Sequence, residues 1–312
     1  MNSKFLNKFL IIIIIAIIIY AGFLFLSDFS KIYDRLESFN TTYLGPILLL
    51  ISFSWFILFL RWTLLLKNLS ISVPTKSNLI IFVSSFALSA TPGALGELIK
   101  SKLLKNKFNI PISKTAPLIL IERIYDLIGA IIVSSFGISY IESGNYALLV
   151  FTIVLITMIV FLRSKIIFSN SLSIFKKIKF LENKINDISD SYDSIQPSLN
   201  PKIFASSTLL SIIYWISMGT SSYFVLLALN VDMISYFHMV SIYSSSVIIG
   251  AVSFIPGGVG IAEGSIAGLL TLGGVEISIG LVIGILVRIF TLWYGVIFGS
   301  ILLKFTGGIK DF

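Results

Sequence analysis

Two stretches set helix-breaking residues and an acid inside apolar surroundings: "SATPGALGELI" (89–99) and "SFIPGGVGIAEGSI" (253–266). They share a Pro-Gly-x-x-Gly core, Pro92, Gly93 and Gly96 in the first, Pro256, Gly257 and Gly260 in the second, with Gly258 beside them. Each core is followed closely by a glutamate, Glu97 or Glu263. Proline removes a backbone donor and clashes with the preceding turn, while glycine lets the chain reverse. A helix that restarts after such a break presents N–H groups with no intrahelical partner and the positive end of its dipole. That is chemistry for binding an anion, above all a phosphate. A break that serves only tight helix packing is the structural alternative.

Downstream of each break lies a charged helix motif, "ERIYDLIGAII" (122–132) and "VRIFTLWYGVI" (287–297), pairing Arg123 with Arg288. With spans starting near 115 and 276, a rise of 1.5 Å per residue puts Arg123 about 12 Å and Arg288 about 18 Å deep in a core ~30 Å thick. A charge at that depth needs a partner or a watery cavity. One reading is that the acids and arginines neutralise one another across the interface between the two halves. The other is that Arg123 and Arg288 hold an anionic headgroup, close to the glycine-rich breaks, with Glu97, Glu263, Glu122 and Asp126 as counter-ions or proton carriers.

The elements that must position these residues are membrane helices. The chain is 56% hydrophobic and 12% charged, with a mean hydropathy of +0.99. Apolar runs long enough to span a bilayer recur along its 312 residues. They are too long for barrel strands, which leaves an all-α polytopic fold. The net charge of +8 fits basic cytoplasmic loops facing anionic lipid, and no nucleic-acid partner is expected. With no cysteine and one histidine, His238, thiol chemistry is excluded and no metal site or other cofactor is expected. The apolar segment 7–27 has a basic flank but no cleavage site after it, so it is expected to remain as a first transmembrane helix.

Eight apolar runs suggest eight spans, but a simple crossing at 78–99 would place Lys100, Lys102, Lys105, Lys107 and Lys114 outside, against the positive-inside rule. The conflict disappears if 78–107 is a hairpin bent at "TPG" that enters and leaves from one face, and 238–273 is its counterpart bent at "IPGG" from the other. Of the 23 Lys and Arg, this layout puts most in the cytoplasm with the N-terminus, and only Arg123 and Arg288 within the membrane. The expected architecture is one membrane domain with about six full spans, two re-entrant hairpins and two inverted repeats, each helix, broken hairpin, helix. The first unit is 43–141 and the second 202–303, joined by a span at 146–162 and a cytoplasmic amphipathic segment at 163–201. The register supports the repeat: Pro256 follows Pro92 by 164 residues and Arg288 follows Arg123 by 165. Inverted repeats with interrupted helices are a transporter architecture with its site near the midplane.

The blocks "TPGALGE", "ERIYDLIG" and "IPGGVGIAEGSIAGL" resemble the hallmarks of the lysyl-phosphatidylglycerol synthase transmembrane family. The resemblance covers nearly the whole chain after the first helix. It implies a cell-membrane, multipass, flippase-type domain that moves or holds a phosphate-bearing lipid, an anionic phospholipid or a polyprenyl phosphate. Neither the aminoacyl-transfer domain nor the glycosyltransferase found fused to relatives is recognisable, so the expectation is translocation without synthesis. A separate lipid-modifying enzyme or glycosyltransferase is the partner this implies.

Other classes fit less well. Tyr125-Asp126 is similar to the Tyr-Asp of intramembrane aspartyl proteases, but no second aspartate is expected inside a span, so no catalytic constellation is expected. An ion- or proton-coupled small-solute transporter would use the same broken repeats, and a non-transporting scaffold would need neither arginine. No P-loop is present, which argues against direct drive by ATP.

Overall fold

The computed structural model describes residues 17–22, 33, 36–91, 96–140, 149, 150, 152–154, 156, 157, 159, 160, 164 and 196–306. The expected amphipathic segment, apart from its ends, and the residues Pro92 and Gly93 lie outside the described residues, as do parts of the first helix and the connecting span.

The described residues form helices and turns, in one order that occurs twice. In the first half, a long helix α1 (Leu44–Asn68) leads to a short helix α2 (Thr75–Ser84) that tightens into a 3-10 turn at Ser85–Leu88. After the break come a short helix α3 (Ile99–Phe108) and a long helix α4 (Ile112–Ser134), which ends in a 3-10 stretch at Ser135–Tyr140. In the second half, long α5 (Pro201–Ala228) is followed by short α6 (Tyr236–Val252), a break, and short α7 (Ile261–Leu272). A long helix closes it: α8 (Ile277–Arg288), a π turn at Ile289–Trp293, and α9 (Tyr294–Phe305).

Local sequence sets these boundaries. The Asn200 side chain accepts a hydrogen bond from the Lys202 amide and Pro201 occupies the first turn of α5, where its missing donor costs nothing. Ser235 caps α6 by accepting from the His238 amide. Asn109 ends α3 in the left-handed conformation, two residues before Pro111.

The halves interlock reciprocally. The long helices α1 and α5 run antiparallel: the Asn40 amide donates to Ala228 O, Ser54 Oγ to Met218 Sδ, and Arg61 Nη1 to Ser211 Oγ, so numbers rise along one helix as they fall along the other. The long final helix of each half then packs on the first short helix of the other. On one side, Ser241 Oγ of α6 donates to Ser134 O of α4. A Cβ added to Gly137 would lie 2.5 Å from Ser241 Cβ. On the other side, a Cβ at Gly299 of α9 would lie 2.5 Å from the Ala87 amide nitrogen. Small residues here let backbones meet, the usual means of tight packing where lipid supplies no hydrophobic drive. Trp55 of α1 stacks on Tyr294 with ring centroids 4.9 Å apart, filling the seam between α1 and α9.

Three helical stretches among the described residues are long and apolar enough to cross a membrane: Thr41–Asn68, Pro201–Ala228 and Ile277–Phe305. At 23 residues α4 has the length as well, but it carries Glu122, Arg123 and Asp126 at its centre.

A candidate ionic site at the two helix breaks

Six charges from three helices and the first break meet in the first half. Arg61 comes from the last third of α1, Glu97 from the 3-10 turn before α3, Lys100 from α3, and Glu122, Arg123 and Asp126 from α4. Arg61 is wholly buried, and Lys100 and Glu122 are each 1% exposed. Lys100 Nζ lies 2.6 Å from Glu122 Oε2 and 3.2 Å from Glu97 Oε2. It also sits over the Trp62 and Phe82 rings, 4.7 and 5.2 Å from their centroids. Arg61 Nη1 donates to Asp126 Oδ1 and to Ser211 Oγ of the other half, while Trp215 Nε1 donates to Asp126 O at 2.8 Å. Arg123 Nη2 completes the group, 3.2 Å from Glu97 and 3.1 Å from Asp126.

Three cations and three carboxylates make the cluster neutral, which is how buried charge is tolerated at low dielectric. Its donors exceed its acceptors all the same. Among the described residues, Arg61 Nε and Nη2 and Arg123 Nε have no hydrogen-bond acceptor. The Arg123 side chain is 36% exposed, so the cluster reaches the surface through a guanidinium.

The second half carries a smaller, closed version. Arg288 Nε lies 3.3 Å from Glu263 Oε1, and Arg288 Nη2 donates to Gly257 O. Glu263 is fully buried; its Oε2 accepts from the Gly260 amide at 2.7 Å and its Oε1 from Tyr20 Oη at 2.7 Å. Gly257, Gly258 and Gly260 have φ of +62°, +64° and +86°, the left-handed region that glycine enters without strain. Packing adds a second reason for Gly258, since a Cβ there would lie 3.0 Å from Gly250 Cα.

The two arginines occupy one register. Arg123 is the eleventh residue past Ile112 at the start of α4, and Arg288 the eleventh past Ile277 at the start of α8. Beside the first cluster, Trp215 packs against Tyr214 and Tyr243, with ring centroids 5.3 and 5.9 Å away.

The residues singled out in sequence thus fall into two groups, Glu97, Glu122, Arg123 and Asp126 in one, Glu263, Arg288, Gly257 and Gly260 in the other. Arg123 and Arg288 each pair with acids of their own half, and among the described residues no ion pair joins the two halves. The breaks are also more internally satisfied than expected. The Gly96 amide donates to Thr91 Oγ1 at 2.7 Å, and at the start of α7 Glu263 itself supplies the anion. Sequence reasoning missed Arg61, Lys100 and Tyr20. It had placed Arg61 and Lys100 among the cytoplasmic cations. Lys100 had a legible signal, three residues after Glu97 and thus on the same helix face, whereas the partners of Arg61 are 65 and 150 residues away.

The family model for the lysylphosphatidylglycerol synthase TM region matches residues 13–299, most of the chain and all of both ionic groups. The chain belongs to this family. Curated relatives include the UPF0104 membrane protein PH1989 of Pyrococcus horikoshii, 27% identical over 270 residues, 78% of this chain and 80% of that protein. Another is the UPF0104 membrane protein MJ1078 of Methanocaldococcus jannaschii, 27% identical over 229 residues, 70% of this chain and 92% of that protein. Membership and the spanning helices make this a membrane protein of the family's transmembrane type. Within the family's region, both arginines fall at the same depth in their helices, and both breaks precede them.

Proposed function

We propose that the protein is a lipid translocase that takes a phosphate-bearing anionic headgroup at the Arg123 face of the first ionic cluster. The observation that carries this is the Arg123 guanidinium, 36% exposed on the rim of an otherwise buried, neutral cluster. Phosphate oxygens are the acceptors such donors match. Moving a lipid requires no covalent step, and these residues are assigned none.

The architecture supports the same reading. Antiparallel packing of the equivalent helices α1 and α5 is what two units inserted from opposite faces would produce. The short helices favour re-entrant hairpins: α2 with its 3-10 turn spans about 23 Å and α3 about 15 Å, against a ~30 Å core. At eleven residues into their helices, Arg123 and Arg288 lie about 17 Å along, close to the midplane where inverted-repeat transporters hold their cargo. The exposure of Arg123 provides the access route through which a headgroup would leave the bilayer interface while its chains stay in lipid.

The test is transport of a headgroup-labelled phosphatidylglycerol across proteoliposome membranes, read by quenching of the outer leaflet. The wild-type chain should move the label faster than protein-free vesicles, and Arg123→Gln should slow it at least tenfold. Equal rates in wild-type, variant and protein-free vesicles would refute the proposal.

A further inference from the structure

The N-terminal helical segment at 17–22 lies against the second break, and its contacts are specific. Tyr20 Oη donates to Glu263 Oε1 at 2.7 Å and accepts from Trp293 Nε1 at 3.0 Å, linking positions 243 and 273 residues apart. Ile19 covers the turn: a Cβ built on Gly260 would lie 3.2 Å from Ile19 Cγ2. Tyr20 is therefore the one hydrogen-bonding partner of Glu263, among the described residues, that comes from outside the second half; Gly260 and Arg288 belong to it.

The two ionic groups differ in closure. Arg123 is 36% exposed, while Arg288 is 6% exposed and Glu263 not at all. No hydrogen bond from residues 17–22 reaches the Arg123 cluster among the described residues. The element next to the closed group has an irregularity of its own. The π turn Ile289–Trp293 directly follows Arg288 and ends on the tryptophan that holds Tyr20. Single π turns inside α-helices recur at functional sites.

We infer that the N-terminal segment is a gate on the second break: Tyr20 and Ile19 seal Glu263, Arg288 and the start of α7, and withdrawal of Tyr20 opens them to a ligand. What enters must replace the phenol, so it brings a hydroxyl donor for Glu263 alongside oxygens for Arg288. A headgroup with both hydroxyl and phosphate, a glycerol or sugar phosphate, has that chemistry. The choice of ligand rests on the translocase reading, whereas the gate itself rests only on the contacts.

The chain has no native cysteine, so one introduced thiol reports on closure. Ile19 is half-buried against the break, 3.2 Å from where a Cβ on Gly260 would lie, so the thiol of Ile19→Cys is covered while the segment is seated and freed when it withdraws. Its reaction with a membrane-impermeant maleimide would be timed in membranes carrying otherwise wild-type protein, Tyr20→Phe or Trp293→Phe. Loss of one buried hydrogen bond to a carboxylate should raise the labelling rate about tenfold in Tyr20→Phe. Trp293→Phe, which spares the bond to Glu263, should give a smaller rise, and it serves as the second probe if Tyr20→Phe folds poorly. Unchanged labelling in both variants overturns the gate. The same samples in labelled-phosphatidylglycerol vesicles separate the two readings: faster labelling with no lipid movement by any form keeps the gate and removes the translocase.

Discussion

Lys100 and Glu122 form a salt bridge of 2.6 Å with both side chains 1% exposed, inside a protein surrounded by lipid. Glu97, Trp62 and Phe82 close the remaining sides of the ammonium, so neither charge has water to fall back on if its partner is removed.

Lys100→Met should therefore destabilise the protein by about 3–5 kcal/mol, the cost of leaving a buried charge unpaired. Lys100→Met with Glu122→Gln should recover part of that loss, because the stranded carboxylate is gone. Unfolding in detergent by heat or denaturant measures both, and additive losses would show that the two residues do not act as a pair.

Backbone approach at the interlock gives a second prediction. Gly299→Ala places a Cβ 2.5 Å from Ala87 N, backbone that cannot move aside cheaply. It should cost about 1–3 kcal/mol. Gly268→Ala, in α7 with nothing within 4 Å, should instead stabilise by up to about 1 kcal/mol through helix propensity. Melting temperatures shifting in opposite directions would confirm the pair.

Ser211 tests the link between halves. Its hydroxyl accepts from the buried Arg61 guanidinium at 2.5 Å, so Ser211→Ala removes a charged hydrogen bond and should cost about 1.5–3 kcal/mol. Unfolding measurements on Ser211→Ala and on Ser300→Ala, whose hydroxyl only bonds its own helix at Val296 O, should separate the two clearly.

Much of the architecture was legible because it rests on local residues. The second break follows from its proline and glycines, as φ of +62° to +86° at Gly257, Gly258 and Gly260 bears out; counting along apolar runs put Arg123 and Arg288 at unequal depths, and only the helix starts at Ile112 and Ile277 bring them to one register. The partners of each charge were harder to see. Arg61 counts among the cytoplasmic cations in the charge layout, but it lies inside α1 and is buried by Asp126 and Ser211, which are distant in sequence. Tyr20 was invisible for a related reason. Nothing in an isoleucine-rich first helix indicates that its tyrosine meets Glu263, a contact fixed only once the second break has folded.

The most direct test of the account is the sidedness of the first hairpin, on which the opposed insertion of the two halves depends. Single cysteines at Asn106, in the exposed last turn of α3, and at the exposed controls Asn40 and Lys202 would be labelled separately from each face of the membrane. Position 106 should label with 202 and opposite to 40, as a hairpin returning to its face of entry requires. Labelling of 106 together with 40 would mean that the segment crosses, and the inverted arrangement and the transport mechanism resting on it would be wrong.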